Sequence, residues 1–210
     1  MNNKIQAVIF DMDGVLIDAR DWHYEALNRA LRLFGIEISR YEHLVTFDGL
    51  PTKKKLEMLT LEGRLPARLH TLINKLKQEY TMEMVYSKCK PIFQHQYALS
   101  QLKHDGYHLV VCSNSIKRTI DIMMDRAKLI EYLDFFLSNE DVQHSKPDPE
   151  IYTRAMERLK IKPENCLIVE DNDNGIKAAL ASGAHLMRVS NPNGVNYHNI
   201  VHRINEISHA

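Results

Sequence analysis

Residues Val8-Ile9-Phe10 run without a break into Asp11-Met12-Asp13-Gly14-Val15. No other stretch limits the fold as much. Three β-branched or aromatic residues in a row read as a strand buried on both faces, which is the pattern of a parallel sheet covered by helices. The run then stops at two carboxylates one residue apart. If strand geometry persists to Asp13, both acids point the same way, because strand side chains repeat every two residues. Gly14 allows a sharp turn directly afterwards. Two acids held together at the end of a buried strand repel each other and resist desolvation. A bound cation is the usual relief.

The same design recurs twice. His108-Leu109-Val110-Val111-Cys112 runs into Ser113-Asn114-Ser115, and Cys166-Leu167-Ile168-Val169 runs into Glu170-Asp171. Between and after these runs come helical stretches at 97–103, 116–127, 151–159 and 175–181. Short strands are expected at 135–138 and 186–189. Strands alternating with helices predict an α/β fold, a Rossmann-like parallel sheet with helices on both faces. Such sheets place their sites beyond the carboxyl ends of the strands. The stiff loop Ser145-Lys146-Pro147-Asp148-Pro149 lies between the second and third polar clusters, so Lys146 is expected at the same edge.

Residues 18–90 have no strand candidate. Trp22, Ala26, Ala30 and Leu33 fall at helical spacing, and Gly35 stops that helix. Phe47-Asp48-Gly49-Leu50-Pro51-Thr52 is turn-like, and Thr52 is expected to cap a helix starting at Lys53-Lys54-Lys55. Pro66 suits the first position of a third helix with a stripe of Leu69, Leu72, Ile73, Leu76 and Tyr80. The domain reading is therefore a core of 1–17 with 91–210, and an inserted all-helical domain at 18–90.

Lysine plus arginine and aspartate plus glutamate each number 27, a formal net charge of zero. That balance points to no nucleic acid and no membrane surface as partner. No apolar segment is long enough to span a bilayer, and the start of the chain turns acidic too soon for a signal peptide. Cys89, Cys112 and Cys166 are in no ligand spacing and read as reduced thiols, which suits a cytoplasmic protein. A monomer or small homo-oligomer is expected.

The groups gathered at the sheet edge define a chemistry. There is a carboxylate able to act as nucleophile, a second acid two residues on, a hydroxyl, a lysine and a further acidic pair. The sequence has no glycine-rich phosphate loop and no dinucleotide fingerprint. Oxygen-rich ligation suits Mg²⁺ rather than zinc. A carboxylate beside Mg²⁺, with Ser and Lys holding anionic oxygens, suits phosphoryl transfer through an aspartyl phosphate.

The ordered set Asp11-Met12-Asp13-Gly14-Val15, Ser113-Asn114-Ser115, Ser145-Lys146-Pro147-Asp148-Pro149 and Glu170-Asp171-Asn172-Asp173-Asn174-Gly175 resembles the haloacid dehalogenase-like hydrolase superfamily. The resemblance is to its β-phosphoglucomutase and phosphoglycolate phosphatase group, which carries a helical cap after the first motif. It implies that Asp11 attacks phosphorus and that Asp13 is the general acid and base. It implies that Ser113, Asn114 and Lys146 bind the phosphoryl group. Mg²⁺ would be held by Asp11, Asp13 through its backbone carbonyl, Asp171 and Glu170, with Glu170 either a ligand or a support behind one.

The resemblance further implies that the cap closes over the site and selects a small phosphorylated metabolite. Candidate cap contacts are His23, Thr52 and Lys53. In the sugar phosphomutase branch an arginine stands where this chain has Thr52, and a hydroxyl residue stands near Ala19. Both departures favour a phosphatase acting on a sugar phosphate over a mutase, which is kept as the alternative. Halide displacement needs neither Asp13 nor the Glu170-Asp171 pair.

Overall fold

The computed structural model describes residues 5–209. In chain order, β1 is Ala7–Phe10, and it is followed by the helices α1 (Arg20–Arg32), α2 (Arg40–Glu42), α3 (Thr52–Leu61) and α4 (His70–Lys88). Next come α5 (Phe93–His104), β2 (His108–Cys112), α6 (Lys117–Arg126) and β3 (Phe135–Leu137). The last elements are α7 (Glu150–Leu159), β4 (Cys166–Glu170), α8 (Asp173–Ala181), β5 (His185–Arg188) and α9 (Tyr197–Ser208). The chain divides into two compact units, one running to Asp18 and resuming at Lys90, the other Ala19–Cys89.

The first unit is an α/β layer. Its sheet has five strands in the order β3-β2-β1-β4-β5, and every pairing is parallel. All four residues of β1 are buried, as expected of a central strand covered on both faces. The register sets the site. Phe10 lies level with Val111 of β2 and Val169 of β4. One residue further, Asp11, Cys112 and Glu170 therefore stand side by side. Because side chains alternate, they share a face with Ile9, Val110 and Ile168. That face packs on Ile151, Tyr152, Ala155 and Met156 of α7 and on Ala178 and Ala179 of α8.

β1 ends at Phe10, and Asp13 sits in a tight turn where Gly14 N–H donates to the Ile17 carbonyl. The two aspartates are thus not carried by one continuous strand. The turn, with Gly14 at φ +87°, does the aiming that alternation was expected to do. Helix α9 was not anticipated. Its Asn196 cap accepts from Asn199 N–H at 2.9 Å, and Ile200, Ile204 and Ile207 bury its inner stripe.

The second unit is all helical around Leu27, Ala30, Leu31, Ile38, Phe47, Leu56, Leu59, Leu65 and Ile73. A one-turn π-helix, His43–Phe47, joins α2 to the Asp48-Gly49 turn. Three local expectations are corrected here. Pro51, not Thr52, is the α3 N-cap, and no side chain caps that helix; Thr52 is its first residue. Pro66 precedes a single 3-10 turn rather than opening α4. Of the expected stripe only Leu72 faces solvent: Ile73 lies in the core, Leu69, Leu76 and Tyr80 pack against it, and α4 also buries Lys77, Thr81, Met84 and Val85. The same face continues through Lys77 and Thr81, a lysine and a threonine at positions that polarity alone reads as outward.

Lys55 also departs from expectation. The lysine run reads as a solvated face, yet Lys55 is buried while Lys53 and Lys54 are exposed. The buried Asn28 amide clamps the Ile38 backbone on both sides, donating to its carbonyl at 2.8 Å and accepting from its N–H at 2.9 Å. All three cysteines are buried and reduced. Burial pushes the Cys166 thiol up to about 12, so it behaves as a small hydrophobe. No helix among the described residues is long and apolar enough to cross a membrane.

Candidate active site

Lys146 organises the carboxyl edge of the sheet. The loop that carries it has a cis Lys146–Pro147 bond, and the lysine side chain is only 3% exposed. Its Nζ donates to Asp11 Oδ1 at 2.7 Å, Glu170 Oε1 at 2.7 Å and the Cys112 carbonyl at 2.8 Å. Three acceptors for three ammonium protons satisfy the group fully. These are the three residues that the register of β1, β2 and β4 sets side by side. Burial works against the charge on Lys146, but the Asp11 and Glu170 carboxylates outweigh it and raise its pKa. It is a fixed cation at any ordinary pH.

Asn114 holds the Lys146 backbone. Its amide accepts from Lys146 N–H at 3.1 Å and donates to the Lys146 carbonyl at 3.2 Å. Ser113 is buried, and its Oγ accepts from Ser115 N–H at 3.1 Å. Neither residue caps α6, whose N-cap is Ile116. The Ser115 hydroxyl donates to Asp13 Oδ2 at 3.1 Å. Asp13 itself is half-buried, whereas Asp11 is 5% exposed.

Glu170 is completely buried. Its Oε1 takes Lys146 and the Tyr152 hydroxyl, the latter at 2.6 Å, and its Oε2 takes the Asp171 N–H at 3.1 Å. Two glycines make room for the acids. A Cβ on Gly175 would overlap the Glu170 carboxylate, and a Cβ on Gly14 would overlap that of Asp171. Asn172 shapes the turn as the α8 cap, accepting from Asn174 and Gly175 N–H groups, each at 3.1 Å.

Asp11, Glu170 and Asp171 each present a carboxylate oxygen, and the three lie within 4.8 Å of one another. The charge is unbalanced. Burial pushes the Asp11 carboxyl well above the usual range; Lys146 pulls it down, but Glu170, Asp171 and Asp13 push it further up. One lysine does not offset four acids. A divalent cation would, and an all-oxygen donor set fits a hard ion. The residues present therefore fit such a metal.

In the second unit, His23 is half-buried on α1, and its Nδ1 lies 3.2 Å from Lys77 Nζ. Thr52 is half-buried at the start of α3, and Lys53 beside it is exposed.

Two further site residues escaped sequence reasoning. Tyr152 reads as one more core aromatic on an amphipathic helix, and nothing in the chain order places its hydroxyl on Glu170. Ser115 was visible only as part of a motif. Gly175 was visible only as the last residue of a motif; its need to lack a Cβ comes from the close approach of the Glu170 carboxylate.

The family model for haloacid dehalogenase-like hydrolases matches residues 8–189. The chain belongs to that family. A phosphorylated carbohydrates phosphatase of Thermotoga maritima is 30% identical over 187 residues, 85% of this chain and 82% of that protein. The pyrophosphatase PpaX of Bacillus mycoides is 27% identical over 196 residues, 89% of this chain and 84% of that one. Among solved structures, β-phosphoglucomutase from Clostridium difficile has a TM-score of 0.82 at 21% identity, covering 96% of this chain and 98% of that one. CbbY from Rhodobacter sphaeroides, in complex with phosphate, has a TM-score of 0.78 at 21% identity, covering 88% and 85%. The latter two are likenesses of fold: the parallel five-stranded sheet and helical cap of the haloacid dehalogenase-like hydrolases.

Proposed function

We propose that the protein is a Mg²⁺-dependent phosphatase that hydrolyses a small phosphorylated metabolite, a sugar phosphate in the first instance, through an aspartyl phosphate. The observation that carries this reading is the buried ion trio of Asp11, Lys146 and Glu170, with Asp13 on Ser115 beside it. A general-purpose structural salt bridge would not need a second pair of acids at the same spot. The phosphatase relative from Thermotoga maritima supports the substrate class.

In the first step an Asp11 carboxylate oxygen attacks phosphorus, and the bond from phosphorus to the ester oxygen breaks. Protonated Asp13 gives its proton to the departing alcohol oxygen. In the second step Asp13, now a carboxylate, takes a proton from water as that water attacks the acyl phosphate. Inorganic phosphate leaves, and Asp11 regains its carboxylate. Lys146 stays charged throughout and offsets the charge on the phosphoryl oxygens. Ser113 is assigned to those oxygens, and so is Asn114, whose hold on the Lys146 backbone also keeps the ammonium in place. Asp11, Asp171, the Asp13 carbonyl and Glu170 would hold Mg²⁺, which would supply Lewis-acid neutralisation of charge on the phosphoryl group. His23, Thr52 and Lys53 are assigned to substrate recognition.

The test is phosphate release from a panel of phosphorylated sugars and small acids, with Mg²⁺ and with chelator. Mg²⁺-dependent release on a few sugar phosphates is expected, and Asp11→Asn is expected to lower kcat by at least about 10³-fold. Turnover that survives Asp11→Asn overturns the mechanism. Isomerised sugar phosphate in place of free phosphate, seen only after a bisphosphate is added, replaces the phosphatase with a mutase.

A further inference from the structure

Tyr152 is fully buried in the first turn of α7, six residues after Lys146. Two contacts set it apart from the other core aromatics. Its ring centroid lies 4.7 Å from Lys146 Nζ, and its hydroxyl donates to Glu170 Oε1 at 2.6 Å. A phenylalanine would fill the same volume and keep the contact between ring and ammonium. The hydroxyl has to be explained by what it does to Glu170, since a buried hydroxyl brings a desolvation cost that a core position does not otherwise require.

Each carboxylate oxygen has about two acceptor sites. Oε1 of Glu170 uses both, one for Lys146 and one for Tyr152. Oε2 uses one, for Asp171 N–H, and keeps one. The backbone at Gly175 lies against the same carboxylate, close enough that a Cβ there would overlap it. The head group is therefore pinned from three sides, with one acceptor site left, on Oε2.

We propose that Tyr152 is a positioning residue: its hydroxyl saturates Oε1 of Glu170 and so turns the single open acceptor, Oε2, toward the divalent cation. The same bond relieves Lys146 of being the sole donor to Oε1, which keeps the ammonium centred between Glu170 and Asp11. This inference rests on the metal-dependent reading above and adds to it a residue outside the motifs.

The experiment is titration calorimetry of Mg²⁺ into chelator-stripped, substrate-free protein, wild type against Tyr152→Phe. The variant keeps the ring, so its fold is checked by melting in chelator. Mg²⁺ affinity is expected to weaken by about tenfold, the scale of outer-shell changes at metal sites. The deficit in kcat at low Mg²⁺ is expected to close as Mg²⁺ is raised, with KM for the phosphorylated substrate unchanged. A role in core packing alone moves the melting temperature and leaves the Mg²⁺ affinity where it was. Wild type and Tyr152→Phe binding Mg²⁺ equally, within twofold, overturns the inference and leaves the phosphatase reading standing. A wild-type protein that binds no Mg²⁺ overturns both.

Discussion

The two units put their most deeply buried polar groups to different uses. At the sheet edge the buried groups are charged and bonded to one another: Lys146 with Asp11 and Glu170, and Glu170 with Tyr152. In the helical unit Lys55 and Lys77 are buried too, but Asn28 and His43, which are buried more deeply, are neutral. Asn28 is spent on the Ile38 backbone, and His43 is held uncharged. Burial depresses the His43 pKa, the nearby Lys55 depresses it further, Asp48 opposes them, and the result is about 4. A buried amide or neutral imidazole serves architecture at modest cost. A buried charge network costs more than hydrophobic packing would, and is retained where chemistry uses it.

That contrast sets out what should follow from breaking each region. Lys146→Met removes the one cation among the acids and strands Asp11 and Glu170 in the interior. We expect a loss of about 3–5 kcal/mol in urea unfolding measured in chelator, together with loss of turnover. A loss under about 1 kcal/mol would mean the trio is better solvated than its burial implies.

The His43 difference is a pH effect. The unfolded imidazole takes a proton near pH 6.5, and the folded one not until about pH 4. Stability is therefore lost as pH falls through that window, reaching about 3 kcal/mol at the acid end. His43→Gln should flatten the slope relative to wild type between pH 6.5 and 4, and parallel slopes would refute the assignment. The smallest effect is expected from Asn28→Ala. It strands the Ile38 N–H, whereas the Ile38 carbonyl keeps the Tyr24 hydroxyl at 3.1 Å; the cost is about 2 kcal/mol, and the Mg²⁺ affinity of the first unit is unchanged. A matching fall in Mg²⁺ affinity would show that the two regions are not energetically separate.

Much of the sheet edge was legible in the chain. Val8–Phe10, Leu109–Cys112 and Cys166–Val169 are purely apolar, and each breaks off at polar residues, which is a local pattern that needs no partner to be seen. Strand–helix alternation then implies one parallel sheet with its polar ends on one side. The helical unit was legible as helix, but not the whole of its inner face. Lys55 and Lys77 sit at inward positions, and charge at an inward position is what amphipathic periodicity reads as outward. Thr52 looked like a cap because Ser and Thr often are, but Pro51 already supplies the extended residue before the helix. Helix α9 carries a plain (i, i+4, i+7) isoleucine stripe, a local pattern as readable as those of the other helices.

By itself, then, the sequence determined the class of fold, the order of the motifs and the kind of chemistry those residue types support, because these depend on local patterns of polarity. Only the tertiary structure decided the strand order β3-β2-β1-β4-β5 and its register. That register sets Asp11, Cys112 and Glu170 side by side, so that one ammonium reaches all three. It also decided that Tyr152 meets Glu170 across 18 residues of chain and Lys146 meets Asp11 across 135. Hydrogen bonds of such separation depend on how layers pack, and no local period encodes them.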